Sequence, residues 1–349
     1  MNTKVWKVDK YVDKLESNPH IVDAAQFLRE NEVVALPTET VYGLGGNAES
    51  DAAVAKIFAA KGRPGDNPLI IHIADKSQLD RFVTEVPAKA EALIAAFWPG
   101  PLTIIFKMKP GVLSEKATAG LDTVAVRMPD HPVALALFKQ SGLPIAAPSA
   151  NSSGKPSPTT AAHVMDDLNG KIAAVLDGGA TGVGVESTVV DCTEEVPVIL
   201  RPGGVSREQL EAAIGEVLVD PGLTNVKEAT RPKAPGMKYR HYAPNAPLYL
   251  VSGTRGFLQS LVAEKQREGL RVGVLTTEEY QDEFTADVVL ACGSRAQLET
   301  VAAALYDTLR KFNQMEVEII FSEIFPTSGV GLAIMNRLQK AAGNKVITE

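Results

Sequence analysis

The residues best suited to chemistry fall in short polar runs between apolar ones. In Leu36-Pro-Thr-Glu-Thr-Val-Tyr-Gly-Leu-Gly-Gly-Asn-Ala48, the hydroxyls of Thr38, Thr40 and Tyr42 follow an apolar run, at the strand end where α/β sheets usually place ligands. Gly43-Leu-Gly-Gly-Asn-Ala48 imitates a dinucleotide fingerprint. However, the acidic residue such sites carry about twenty positions on is replaced by basic Lys61 and Arg63. A tight strand-to-helix turn that uses glycine for its backbone freedom is the plainer reading of those glycines. Next comes Lys61-Gly-Arg-Pro-Gly-Asp-Asn-Pro-Leu-Ile-Ile-His72, a rigid cationic loop with Asn67 and His72 at either side of a strand. Cations that merely complement a helix C-terminus would contribute ~0.3–1 kcal/mol. That account covers the charges, but not Arg63 held before Pro64, nor His72 set between Ile71 and Ile73.

Three further runs share this character. Thr123-Val-Ala-Val-Arg-Met-Pro129 embeds an arginine in an apolar strand. Burial there requires a carboxylate or phosphate partner, so a bound bidentate carboxylate and an internal ion pair are equal alternatives. Ala146-Ala-Pro-Ser-Ala-Asn-Ser-Ser-Gly-Lys-Pro-Ser-Pro158 is either a hydroxyl-rich loop able to cradle phosphate oxygens or a plain surface turn. Asp177 to Thr188 and Arg201-Pro-Gly-Gly204 add a glycine-rich loop, Ser187 and another arginine. No Gly-x-x-x-x-Gly-Lys-Ser/Thr occurs, which excludes a P-loop by pattern. Between residues 227 and 241 the chain holds Lys227, Arg231, Lys233, Lys238 and Arg240 against Glu228 alone. Most such runs are simply solvated. This one ends in Tyr239, Arg240, His241 and Tyr242, a composition able to close over an anion.

Alternating periodicities supply the elements that must position these residues. Strands are expected at Val33–Pro37, Leu69–Ala74, Leu102–Met108, Thr123–Met128, Pro144–Ala147, Ile172–Asp177, Ser187–Asp191 and Val198–Arg201. Helices are expected at Ile21–Glu30, Asp51–Ala60, Ala88–Phe97, Pro132–Gln140, Thr160–Leu168 and Arg207–Ile214. Ser50 and Asp51 can cap the second helix, and Ser206 with Gln209 makes a capping box for the last. So many strands point to an α/β fold of α+β character, a twisted mixed sheet with packed helices. Five prolines between Asp220 and Pro247 break the pattern and read as a linker. A βαβ rhythm then resumes, predicting a smaller Rossmann-like parallel α/β domain. The expected division is 1–215, a 216–247 linker, and 248–349.

Composition narrows the function classes. The chain has 349 residues, 45% hydrophobic and 22% charged, so neither disorder nor a fibrous repeat is expected. Its net charge of -7 removes the global positive field of a dedicated duplex-DNA binder. The two cysteines, Cys192 and Cys292, make neither a disulfide framework nor a Cys-x-x-Cys site. The five histidines include no His-x-x-x-His pair. No signal-peptide core or membrane span is legible, and a cytoplasmic protein without a membrane role is expected.

Taken together, Pro37-Thr-Glu-Thr-Val-Tyr-Gly-Leu44, Lys61-Gly-Arg-Pro64 with Asn67-Pro-Leu69 and His72, Val126-Arg-Met-Pro129, Ala147-Pro-Ser-Ala-Asn151, Ser187-Thr-Val-Val-Asp191, Arg201-Pro-Gly203 and His241-Tyr-Ala-Pro244 closely resemble the threonylcarbamoyl-AMP synthase family. The match is to its two-domain form, with an N-terminal YrdC-type domain. The C-terminal part matches by size and βαβ rhythm more than by sharp motifs. The resemblance implies that L-threonine, bicarbonate and ATP, with Mg²⁺, give threonylcarbamoyl-AMP and pyrophosphate. Downstream threonylcarbamoyl-transferring proteins would use the product on tRNA, with direct tRNA binding left open. It implies no covalent nucleophile. Thr40, His72, Arg127, Ala147 and Ser187 would hold threonine. Lys61, Arg63, Asn67, Thr123, Ser149, Ser157, Arg201, His241 and Tyr242 would hold ATP, with Lys61 and Arg63 stabilising charge. The alternatives are a YrdC-type RNA-binding module without synthase activity, which the net charge disfavours, and a carbamoyl-transferring maturation factor. The latter would need a zinc-finger segment that two isolated cysteines cannot supply.

Overall fold

A computed structural model describes residues 2–223 and 241–349. The chain forms two compact units. The first contains residues up to Ser153, Pro158–Gly182, and Glu186 onward through the first described stretch. The second takes the chain from His241 to Glu349, together with the short loops Gly154–Ser157 and Val183–Val185. The basic residues Lys227, Arg231, Lys233, Lys238 and Arg240 lie outside the described residues.

The first unit is built on one mixed sheet, ordered Lys4–Lys7, Ala174–Asp177, Val34–Leu36, Gly43–Asn47, Ile145–Ala146, Ile70–His72, Thr123–Arg127, Leu102–Lys107, Thr188–Asp191, Val198–Arg201 and Leu218–Val219. Parallel and antiparallel pairings are mixed, as the surplus of strands over helices predicts. The expected helices are present at Pro19–Arg29, Asp51–Lys61, Ala88–Phe97, Pro132–Ser141, Ala161–Leu168 and Arg207–Ile214. Ser50 accepts from Ala53 N–H, and Ser206 and Gln209 form the reciprocal capping box. Three strands escape the periodicity reading. Lys4–Lys7 and Leu218–Val219 are short, largely exposed edges: lysines flank the apolar pair of the first, and the second is too short for any alternation to show. Gly43–Asn47 corrects the reading of those glycines as a turn: it pairs antiparallel with Val34–Leu36 and with Ile145–Ala146. Its glycines answer crowding, because a Cβ at Gly45 would stand 2.8 Å from Leu36 Cδ2.

The two-residue period of a strand sends its side chains to opposite faces. Ile71, Val126, Ile104, Val190 and Ile199 therefore join one large core, and Ile70, Ala125, Ile105, Val189 and Leu200 form a small cluster on the other face. Val33 and Ala35 enter the large core, whereas Val34 and Leu36 join a third cluster with helices Pro19–Arg29 and Pro132–Ser141. Each fully buried aliphatic side chain contributes roughly 1.5–3 kcal/mol, so the large core locks the strand register. That register dictates where Thr103, His72 and Arg127 point: alternation puts them with Ile105, Ile70 and Ala125, opposite the large core.

The second unit carries a parallel sheet ordered Val288–Ala291, Val272–Thr276, Ile319–Glu323, Leu248–Ser252 and Val346–Thr348. Helices Arg255–Arg267, Leu298–Gln314 and Gly331–Ala341 complete the expected βαβ rhythm. The short, polar-flanked Val346–Thr348 is an addition to it.

One close approach in the first unit yields a stability prediction. A Cβ at Gly203 would lie 2.3 Å from Glu186 O and 2.4 Å from both Ser187 C and Thr188 N. Gly203→Ala is therefore expected to destabilise this unit by about 1–3 kcal/mol or more. An unchanged urea midpoint, followed by circular dichroism, would refute that packing.

Candidate functional site

The polar motifs of the first unit are tied together by backbone bonds. Tyr42 N–H donates to Pro158 O, Leu44 N–H to Pro148 O and Ala150 N–H to Tyr42 O, which joins the threonine-rich run to the Ala146–Pro158 segment. Ser153 N–H donates to Lys61 O, and Ala147 N–H to Ile70 O, adding the cationic loop and its strand. His72 stands opposite Arg127 in the parallel register and opposite Ile145 in the antiparallel one.

Arg127 lies at the centre, 5% exposed at its side chain. Its Nε donates to Gly100 O at 3.2 Å and its Nη1 to Thr40 Oγ1 at 2.9 Å. Its Nη2 lies 2.6 Å from Glu39 Oε1. The internal ion pair is thus the outcome in this chain. Thr40 Oγ1 also shares a 2.8 Å hydrogen bond with Thr38 Oγ1, which donates to Val41 O at 2.6 Å. Arg127 and the polar run therefore fix one another.

Two further groups stand beside this centre. Ser187 Oγ shares a 2.8 Å hydrogen bond with Thr103 Oγ1 and accepts from Arg201 Nη2 at 3.1 Å, while Arg201 Nε donates to Ser187 O. Lys61, buried, donates from Nζ to Ser149 O and to Asn151 O. Asn67 is fully buried; Arg63, Thr123 and Ser149 are partly exposed, and Arg63 lies 5.9 Å from the Phe58 ring. Ala147 is buried two positions before Ser149, with its N–H on Ile70 O.

Burial sets the charge states. Desolvation lowers the Lys61 ammonium to about 7, assisted by the Arg63 charge and opposed by Asp167 and Glu186. Desolvation and then Arg127 lower His72 to about 3, against the opposing pull of the Ile70 and Ile145 carbonyls, so its ring is neutral; its Nδ1 lies 3.2 Å from Ile70 O. His131 falls to about 4 through desolvation and Lys10, against the opposing pull of Glu39. Cys192 and Cys292 are both pushed up to about 12 by burial, so neither is a thiolate nucleophile at neutral pH.

Among the expected site residues, Thr40, Lys61, Arg63, Asn67, His72, Thr123, Arg127, Ala147, Ser149, Ser187 and Arg201 belong to the first unit. Ser157, His241 and Tyr242 belong to the second, where the Tyr242 ring lies 5.2 Å from that of Tyr306 and 5.5 Å from that of His241. Sequence reasoning passed over three groups. Thr103 was hidden as one polar residue in an apolar strand, and His131 as a residue before a helix. Glu39 stood in view between two of the threonines already singled out, but nothing in the sequence paired it with Arg127. Among the described residues, no group of three or more His, Cys, Asp or Glu side chains converges as a metal seat. No helix among them is long and apolar enough to cross a membrane.

Known proteins resemble this chain along nearly its whole length. The family model described as telomere recombination, covering Sua5, YciO and YrdC proteins, matches residues 26–203, and that of the threonylcarbamoyl-AMP synthase C-terminal domain matches residues 205–343. A threonylcarbamoyl-AMP synthase of Bacillus subtilis is 60% identical over 99% of this chain and all of that protein. One of Pyrococcus abyssi is 50% identical over 93% of this chain and 94% of its own length. The structure of P. abyssi Sua5 complexed with L-threonine superposes with a TM-score of 0.92 at 47% identity, covering 99% of this chain and 100% of that one. Matched along both of its units by sequence and by fold, the chain belongs to the two-domain threonylcarbamoyl-AMP synthase family.

Proposed function

We propose that this chain condenses L-threonine, bicarbonate and ATP into threonylcarbamoyl-AMP, releasing pyrophosphate. The observation that carries the reading is the burial of Thr40, which bonds Arg127, of His72, which stands opposite Arg127 in the strand register, and of Ser187, which bonds Thr103 on the same sheet face, in a chain with full-length synthase relatives. Arg127 supplies the planar cation that an α-carboxylate needs. Thr40, Ser187 and the neutral His72 ring add hydroxyl and imine partners suited to a small hydroxyl-bearing amino acid, and Ala147 limits its size. Lys61, Arg63, Asn67, Thr123, Ser149 and Arg201 are assigned to ATP. Ser157, His241 and Tyr242 are assigned to ATP from the family motifs alone.

The chemistry follows from positioning. The amine of threonine attacks the bicarbonate carbon and water leaves, giving a carbamate. A carbamate oxygen then attacks the α-phosphorus, and the bond to pyrophosphate breaks. No protein nucleophile takes part, so rate comes from aligning two anions and neutralising charge at phosphorus, the task given to Lys61 and Arg63. Mg²⁺ would accompany the ATP phosphates and neutralise part of their charge. The product is passed to proteins that transfer the threonylcarbamoyl group to tRNA. An RNA-binding role without catalysis has no comparable support at a net charge of -7.

Three outcomes are expected. Pyrophosphate release from ATP requires both threonine and bicarbonate; release indifferent to threonine would sink the proposal. Arg127→Ala weakens threonine binding by roughly 2–5 kcal/mol, since it strands a buried charge, and leaves ATP affinity nearly unchanged by calorimetry. The third concerns Lys61, with its amine lowered to about 7. A phosphate arriving beside it raises that value, so ATP binding above neutral pH takes up a proton. Heats measured in buffers of different ionisation enthalpy read this uptake, which Lys61→Met abolishes; uptake persisting in that variant contradicts the assignment.

A further inference from the structure

The Arg127–Glu39 pair is incomplete in a way that describes its ligand. Glu39 is 14% exposed at its side chain and Arg127 5%, and the two charges approach to 2.6 Å. The approach is off the N–H direction, so Arg127 Nη2 and both Glu39 carboxylate oxygens are buried without a hydrogen bond. Buried polar atoms left unpaired are costly. The rest of the guanidinium is satisfied by Gly100 O and Thr40 Oγ1, which leaves one side of the pair as the deficient one. His72 and His131, the titratable rings beside Arg127 and Glu39, are held neutral by burial and do not supply the missing charge.

A ligand that completes this pair must bring an acceptor for the guanidinium and a donor for the carboxylate, close together. An α-amino acid zwitterion has that form. We infer that Glu39 is the binding partner of the α-ammonium group of threonine, acting jointly with Arg127 on the α-carboxylate. This rests on the threonine reading of the site and adds a residue to it. Glu39 stands next to Thr40 in the chain, so the hydroxyl, carboxylate and guanidinium partners arise from two segments, Thr38–Val41 and the strand Thr123–Arg127. By gripping the nitrogen, Glu39 fixes the atom that faces bicarbonate once the ammonium has lost a proton to solvent and become the attacking amine.

The test is a set of NMR titrations with threonine, with isopropanolamine, which keeps the amine and hydroxyl but lacks the carboxylate, and with β-hydroxybutyrate, which lacks the amine. Glu39→Gln is expected to weaken threonine and isopropanolamine by about tenfold or more, as for loss of a charge-assisted partner, and to leave β-hydroxybutyrate within about twofold. Equal losses for all three ligands would overturn the inference, because Glu39 would then only hold Arg127 in place. Tighter threonine binding would overturn it as well, since Glu39 would be obstructing the seat. Should Glu39→Gln fail to fold, Glu39→Asp keeps the charge but withdraws it by one methylene. It is expected to weaken the two amines selectively, and unchanged threonine affinity refutes the inference. Arg127→Ala separates the two levels of argument. If it spares threonine binding, the site reading itself fails; if it abolishes binding while the Glu39 variants show no amine-selective loss, only the role of Glu39 fails.

Discussion

A guanidinium in the middle of an apolar sheet is the constraint around which the first unit is arranged. Removing such an ion from water costs several kcal/mol even after relaxation, and that cost is offset only by good geometry. Here Arg127 donates to the Gly100 carbonyl and the Thr40 hydroxyl, while the Glu39 carboxylate supplies a counter-charge without a hydrogen bond, from two separate segments of the chain. Those groups stay in place because Val126, Ile71 and Ile104, one residue out of phase, are anchored in the large core behind the sheet. A slip of one position would exchange the charged and the aliphatic faces, so the core that stabilises the fold also aims the site.

Low dielectric surroundings extend the same logic to neighbouring groups. The two histidines near the pair are neutral, and Lys61 is poised between its charged and uncharged forms, in each case because burial penalises charge. A site of this kind is short of counter-charges until an anionic or zwitterionic ligand supplies them. That suits a reaction between substrates that carry their own nucleophile and leaving group. Both thiols are buried and protonated, and the chemistry assigned to the site leaves them no role.

The second unit follows the simpler rules of parallel sheets, with the inner strands Val272–Thr276 and Ile319–Glu323 buried throughout and helices as crossovers. Its claim on the loops Gly154–Ser157 and Val183–Val185 was not legible from composition. Stretches of three or four residues are too short to carry a periodic signal that would declare it.

Sequence alone determined the residue types and the local elements. Apolar alternation located the central strands, the capping residues fixed helix starts at Asp51 and Arg207, and the ordered motifs identified the family. Local spacing failed at Gly43–Asn47, where glycines usually read as a turn serve a strand crowded by Leu36 and Ile145. It failed also for Arg127, whose partner could have been a ligand or a protein carboxylate. Only the tertiary structure chose Glu39, because an ion pair depends on distance across the sheet while sequence separation between residues 39 and 127 says nothing of it. Charge states were decided at the same level: a lysine, a histidine and a cysteine have ordinary affinities for protons until folding sets how much water each one keeps.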